Sequence, residues 1–218
     1  MKRGKLTRKI CILVFCALFV FLALVSAETD NVCVATIGNF TVTLDMVNLY
    51  RLQDEAAKAV LEEYGLSAPW IDKSPLLPQT AESWLMTVCA AAQAGLNAGL
   101  SVSAEEVEGS VNGELISYSV IKGQEYLAAY AGYVTGKFEG TQEELMAAAV
   151  SIRTIQMLAE QYIAHKMNDR FSHVPDEETA RGLANELAAI PAVRGNGEFF
   201  EPSIQWLKDT IALQRSFP

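Results

Sequence analysis

Histidine and cysteine are scarce in this sequence. Two histidines and four cysteines leave too few soft ligands for a His/Cys metal cage and too few thiols for a disulfide-stapled mini-domain. Basic residues are few as well, and unevenly placed. The chain carries 17 Lys+Arg against 26 Asp+Glu, a net charge of −9. Five of the bases (Lys2, Arg3, Lys5, Arg8 and Lys9) fall in residues 1–27, which hold no acid, so the remainder has 12 bases against 26 acids, or −14. A body that acidic is a poor nucleic-acid binder, because phosphate affinity comes from cations that neutralise it. Anionic lipid surfaces repel it too. There is no G-x-S-x-G hydrolase signature and no phosphate loop, nor any internal repeat or low-complexity tract. What is plentiful is apolar material. Half of the 218 residues are hydrophobic and a fifth are charged, enough to build the core of one domain, or of one domain with a smaller appendage.

The first 27 residues form an address. A basic start leads into an unbroken apolar run, Ile10 to Val25. Sixteen residues lie between a signal-peptide core of about 7–15 and a spanning helix of about 20. Val25-Ser26-Ala27 before Glu28 puts small residues at a cleavage site, which favours a cleaved signal peptide, with an uncleaved N-terminal membrane anchor as the alternative. The bases fix the orientation in either case, with the body outside the cytoplasm, secreted or in the cell envelope. Cys11 and Cys16 lie inside the apolar run, so a lipoprotein cysteine is not indicated. Cys33 and Cys89 remain, in a compartment that permits a disulfide. Their spacing leaves one bridge and two separate thiols equally open.

Beyond the leader, Val32 to Ile37 and Phe40 to Thr43 are β-rich and flank Gly38-Asn39, a turn pair that tolerates positive φ. A small hairpin is expected, then a helix capped by Thr43 with Asp45 in its first turn. Met46, Leu49, Ala56, Val60 and Tyr64 make its apolar face, and Gly65 ends it. Pro69, Pro75 and Pro78 mark a loop. Thr80 is expected to cap a second helix, with Leu85, Val88, Ala92 and Leu96 on one face, ending at Gly99. Ser103-Ala-Glu-Glu106 is a capping box opening a third helix to about Val120. Gln124 to Val134 is a short aromatic helix, Thr135 to Gly140 a turn, and Thr141-Gln-Glu-Glu144 a second capping box. It opens the longest helix, apolar at Leu145, Ala148, Ala149, Ile152, Ile155, Ala159, Tyr162 and Ile163 and ending near Phe171. Asp176 to Ile190 is helical, Pro191 to Phe200 a loop, and Pro202 starts a last helix to about Phe217. The fold class is mostly α, with a small N-terminal β-hairpin and a C-terminal helix available to pack back on the helical module.

Three landmarks stand in order: Val34-Ala-Thr-Ile-Gly-Asn-Phe-Thr-Val-Thr-Leu-Asp-Met-Val47, Gln93-Ala-Gly-Leu-Asn-Ala-Gly-Leu-Ser-Val-Ser-Ala-Glu-Glu-Val107, and Thr141-Gln-Glu-Glu-Leu145 leading into a long helix. Their order resembles the SurA/PrsA-like extracytoplasmic chaperones, in which a strand-turn-strand opening runs into a helical module. The resemblance covers about Val32 to Met167. It implies residues 1–27 as leader, 28–171 as a SurA N-terminal-like helical module and 172–218 as a C-terminal extension. It departs from the family after Phe171. Too little chain follows for the parvulin prolyl isomerase domain, and the histidine and glycine landmarks of that domain are missing. Asp176 to Ile190 stays open as a remnant of one of its helices. What the resemblance implies is the chaperone module without isomerase activity, and Pro202 to Phe217 in the place of a helix that folds back on it.

No catalytic residue, metal ligand or cofactor is expected. His165 and His173 have no cysteine or third histidine near them in sequence. Glu105, Glu106, Glu108, Glu143 and Glu144 sit at helix starts, where capping and the helix dipole account for them. The aromatic residues are the candidate site. Tyr118, Tyr126, Tyr130, Tyr133 and Phe138 crowd one stretch, and Trp70 lies in the proline-rich loop. Core packing claims part of the set. The rest offers large contact area with few rotors to freeze, which suits loose, sequence-tolerant binding. Trp70, Tyr126, Tyr130, Tyr133 and Phe138 are therefore the expected client contacts. The expected partners are unfolded or exported polypeptides. Nucleic acid is not expected, membrane contact is limited to residues 10–25 if they are retained, and dimerisation is left open. The alternative is a structural or interaction protein that docks one specific extracytoplasmic partner or itself.

Overall fold

The computed structural model describes residues 32–63, 76–110, 124–169, 173–195 and 200–216. All lie in one compact unit, Asn31–Pro218. The apolar run at 10–25, the end of the first helix at Tyr64 and Gly65, the Trp70 loop and Tyr118 fall outside the described residues.

Among the described residues the protein is mostly helical, with one small antiparallel sheet. Strand β1 (Cys33–Ile37) turns through Gly38-Asn39 into β2 (Phe40–Thr43). Helix α1 (Leu44–Glu63) follows directly. The Thr43 hydroxyl caps it, accepting the Met46 N–H at 3.3 Å. Gly38 has φ +55°, a conformation that glycine adopts without Cβ strain. A Cβ there would also fall 2.4 Å from the Gln93 side chain. That amide holds the turn: its Oε1 accepts the Asn39 N–H at 2.7 Å, and its Nε2 donates to Asn97 at 2.9 Å.

Helix α2 (Pro78–Asn97) is the centre of the molecule. Every residue from Leu85 to Gln93 is buried, as an all-round apolar helix must be. It begins two residues before the expected Thr80 and has no side-chain cap. Pro78 explains the difference, since its fixed φ and missing N–H suit the first helical turn. Its end is a glycine motif: Gly99 has φ +83°, the Leu100 N–H donates to Gly95 O at 2.9 Å and the Gly99 N–H to Leu96 O at 3.0 Å. Helix α3 covers 104–110, and its capping box is formed. The Glu106 carboxylate accepts the Ser103 N–H at 2.7 Å, and the Ser103 hydroxyl accepts the Glu106 N–H at 3.2 Å. The expected extension of this helix to Val120 lies outside the described residues.

Helix α4 (Gln124–Lys137) and the long α5 (Gln142–Asp169) follow. The second capping box opens α5, with Glu144 accepting the Thr141 N–H at 2.6 Å and Thr141 Oγ1 accepting the Glu144 N–H at 3.2 Å. Along α5, Leu145, Ala148, Ile152, Ile155, Ala159, Tyr162 and Ile163 are buried, and this face packs mainly on α2. Helix α6 (Asp176–Leu187) is joined to α5 by the Tyr162 hydroxyl, which donates to Glu186 at 3.0 Å, and by Lys166 to the same carboxylate at 2.9 Å.

Two expectations for the C-terminal part change. The segment Pro191 to Phe200, expected as loop, contains a strand, β3 (Ala192–Arg194). It pairs antiparallel with β1, giving the order β2-β1-β3. Arg194 then reaches Glu82 on α2 at 2.6 Å. The last helix, α7 (Ile204–Ser216), does pack back. Leu207 and Ile211 are fully buried in the common core, about 1.5–3 kcal/mol each relative to exposure. The Ser203 N–H donates to the buried Thr87 hydroxyl at 2.8 Å. Ile204, at helical spacing from both, is exposed, as is Leu213. Helical Cβ atoms tilt toward the N-terminus, so a first-turn side chain projects past the packed surface.

Candidate functional site

Helix α4 carries the aromatic set. It runs to Lys137 and not to Val134 as the sequence suggests. The Thr135 hydroxyl, a turn signal on paper, donates back to Ala131 O at 2.9 Å and stays inside the helix. Lys137 sits in the last turn, where a cation suits the dipole. Its ammonium donates to the Tyr133 hydroxyl at 2.6 Å and stands 4.2 Å from that ring's centroid.

The structure divides the expected contacts. Tyr126 is only 3 % exposed and lies against Val60 of α1. That placement corrects its role: a buried ring is part of the packing and offers no surface in this state. Tyr130, Tyr133 and Phe138 are half-buried. Each packs on the core with one side, and Tyr130 also touches the Val60–Tyr126 pair. Phe138 folds onto Gly140, where a Cβ would meet the ring at 2.6 Å. A side chain at 140 would displace the ring, so the glycine lets Phe138 cover the corner between α4 and α5. Trp70 lies outside the described residues.

The chemistry around this surface is that of packing and caps. Burial pushes the Cys89 thiol up to about 12, so it stays a protonated, inert core group. Burial likewise pushes the Tyr50 phenol up to about 12, opposed by its hydrogen bond with Trp206. Cys33 is exposed and Cys89 buried, and both thiols are free. The carboxyls of Glu106 and Glu144 lie below their ordinary value because each accepts the backbone N–H and then the hydroxyl of its capping partner. Glu177 is lowered first by its hydrogen bond from Lys208 and then by that from Arg181. His165 and His173 are exposed. Among the described residues, no group of three or more His, Cys, Asp and Glu side chains is placed to hold a metal ion. No helix of the described residues is long and apolar enough to cross a membrane.

Sequence reasoning missed two features here. One is Val60 as a separate anchor for α4, which only the approach of α4 to α1 creates. The other is the exposure of single apolar side chains at the sheet. Val193 on β3 is 69 % exposed and pairs across from Thr36, and Val32 before β1 is 61 % exposed. The β-branched Val193, two residues after Pro191, was the available signal for a strand. No protein-family model, no curated protein and no solved structure matches this chain.

Proposed function

We propose that this chain is an exported, non-enzymatic chaperone-like module that binds unfolded or newly translocated polypeptides without ATP. The observation that carries this reading is the half-buried set of Tyr130 and Tyr133 on α4 and Phe138 just past its end. Each ring is braced by the core and partly exposed, with the Lys137 ammonium over Tyr133. Braced aromatics present contact area at little entropic cost. They also suit weak, fast-exchanging binding, which is the mode of release available where there is no ATP. The acidic body, −14 after residue 27, keeps a loaded complex soluble by repulsion. It favours clients with basic segments, an effect that fades with added salt.

The test is light scattering of a denatured exported protein diluted with and without the chain. Suppressed aggregation at a several-fold excess is expected, weakened by Tyr130→Ala and Tyr133→Ala without loss of fold. No suppression at any ratio defeats the function, and full suppression by the folded variants moves the site elsewhere. The sheet favours the second reading, a module docking one specific extracytoplasmic partner or itself, because Val32 and Val193 stay exposed there. Sedimentation separates the two: a defined dimer abolished by Val193→Asp supports docking.

A further inference from the structure

Two half-exposed rings near the α4–α5 corner differ in what they carry. The Lys137 ammonium stands 4.2 Å from the centroid of Tyr133, so that ring already holds a cation of its own chain. Phe138, one residue after the lysine, holds none among the described residues. Its ring lies against an anion instead. A Cβ at Gly140 would fall 2.6 Å from Phe138 Cε1 and 3.0 Å from Glu144 Oε2, so the ring edge and the carboxylate flank the same glycine. The capping box fixes that carboxylate. Its Oε2 accepts the Thr141 N–H at 2.6 Å and the Thr141 hydroxyl at 2.9 Å, whereas Oε1 accepts nothing among the described residues and is not buried. The same bonds hold the carboxyl below its ordinary value, and it is charged at neutral pH. Glu139 and Glu143 are exposed and have no ion-pair partner among the described residues. Residues 138–144 thus carry three carboxylates and no base, more than the roughly half charge at the positive end of the α5 dipole cancels.

We infer that Phe138 and Glu144 form a subsite for an arginine side chain of an extended polypeptide, the guanidinium stacked on the Phe138 ring and hydrogen-bonded to Glu144 Oε1. Charge complementarity names the occupant: the one ring without a cation stands among carboxylates without a base. A guanidinium is planar and weakly hydrated, so it stacks on an aromatic face and donates to a carboxylate at once, which a compact, strongly hydrated ammonium does less well. Glu139 and Glu143 add to the local field. The carboxylate is set in place before the ligand arrives, because the cap already holds its other oxygen, and little side-chain freedom is lost on binding. The subsite rests on the peptide-binding reading proposed above and narrows its general preference for basic segments to arginine at one corner of the surface.

Titration of the full-length chain with the peptide acetyl-Gly-Phe-Arg-Gly-amide, followed by backbone amide shifts, tests the subsite. The shifts concentrate at residues 138–144. Citrulline in place of arginine keeps the shape, removes the charge and weakens binding at least about threefold. Glu144→Gln retains the capping box, since glutamine also fills that position, and weakens binding about threefold. Phe138→Leu weakens it about two- to fivefold. Glu106→Gln removes the same charge from the other capping box and leaves the affinity within about 1.5-fold, because a distant surface charge is screened. Equal binding of the citrulline peptide overturns the subsite, as does equal weakening by Glu106→Gln and Glu144→Gln, which would trace the affinity to overall acidity. Light scattering separates this result from the proposed function. A chain that selects the arginine peptide but never suppresses aggregation keeps the subsite and loses the chaperone reading, and suppression without arginine selectivity does the reverse.

Discussion

Helices α2 and α4 are both rich in small residues and stand in opposite situations. In α2, Ala90, Ala91 and Ala92 are completely buried. Gly95 lies so close to α5 that a Cβ would come within 3.2 Å of Leu158 O and 3.4 Å of the Tyr162 side chain. Small side chains there let two helices approach. In α4, Gly132 and Gly136 face open space. The same residue type is a packing requirement in one helix and a helix weakener in the other. Glycine in a helical pattern therefore has no single meaning, and the neighbour decides it.

Substitutions can break this contrast or sharpen it. The largest effect is expected in the centre of α2. Leu85 is fully buried in the common core, so Leu85→Ala should cost about 2–5 kcal/mol through lost transfer energy and a cavity. Denaturant titration reads it as a lower midpoint with unchanged slope. A cost under about 1 kcal/mol would deny α2 its central place. Next comes Gly95→Ala. Helix preference alone favours alanine by about 1 kcal/mol, but the Leu158 carbonyl is backbone and has little room to move. The net should be destabilisation of about 1 kcal/mol, from an overpacking cost of about 1–3 kcal/mol. The mirror experiment, Gly136→Ala, should stabilise by about 0.5–1 kcal/mol. If the two changes have the same sign, the contrast between the helices collapses.

The smallest effect depends on pH. Glu144 has its carboxyl lowered in the folded chain from an ordinary 4.5 by the Thr141 N–H. A lowered folded value means that its stabilisation is fully present above the unfolded value and is lost as pH falls through the folded one. Titration from pH 7 to 5 should leave the start of α5 intact, and further acid should fray it. The start of α2, which has no side-chain cap, should not respond. Backbone amide shifts of residues 142–145 against 79–81, which carry no carboxylate, distinguish the two helix starts.

What was legible in the sequence was local. The hairpin turn at Gly38-Asn39 and both capping boxes involve residues three positions apart or fewer, and each is formed. The apolar faces of α1 and α5 followed from spacing alone, whereas α2, expected to bury one face, is buried all round from Leu85 to Gln93. Features that depend on distant chain were not legible. Three residues at Ala192–Arg194 become a strand only because β1 offers them an edge. Composition put Tyr126 and Tyr130 in one aromatic stretch, but it could not tell which of them would be buried there. Thr80 and Thr135 carried correct local chemistry that lost to neighbours, Pro78 in one case and an intact helix in the other.

The order β2-β1-β3 has a consequence for synthesis. Strand β1 is the middle strand, and Ile37 pairs with both Phe40 and Ala192. One partner is made at once. The other emerges roughly 150 residues later, on the order of 10 s at about 5–20 residues per second. For that interval the nascent chain carries an open strand edge, a template for pairing with other chains. The Gly38 N–H likewise waits for Pro191 O. A ribosome stalled, or a chain cut, anywhere before residue 192 releases a product whose first strand has lost its second neighbour for good.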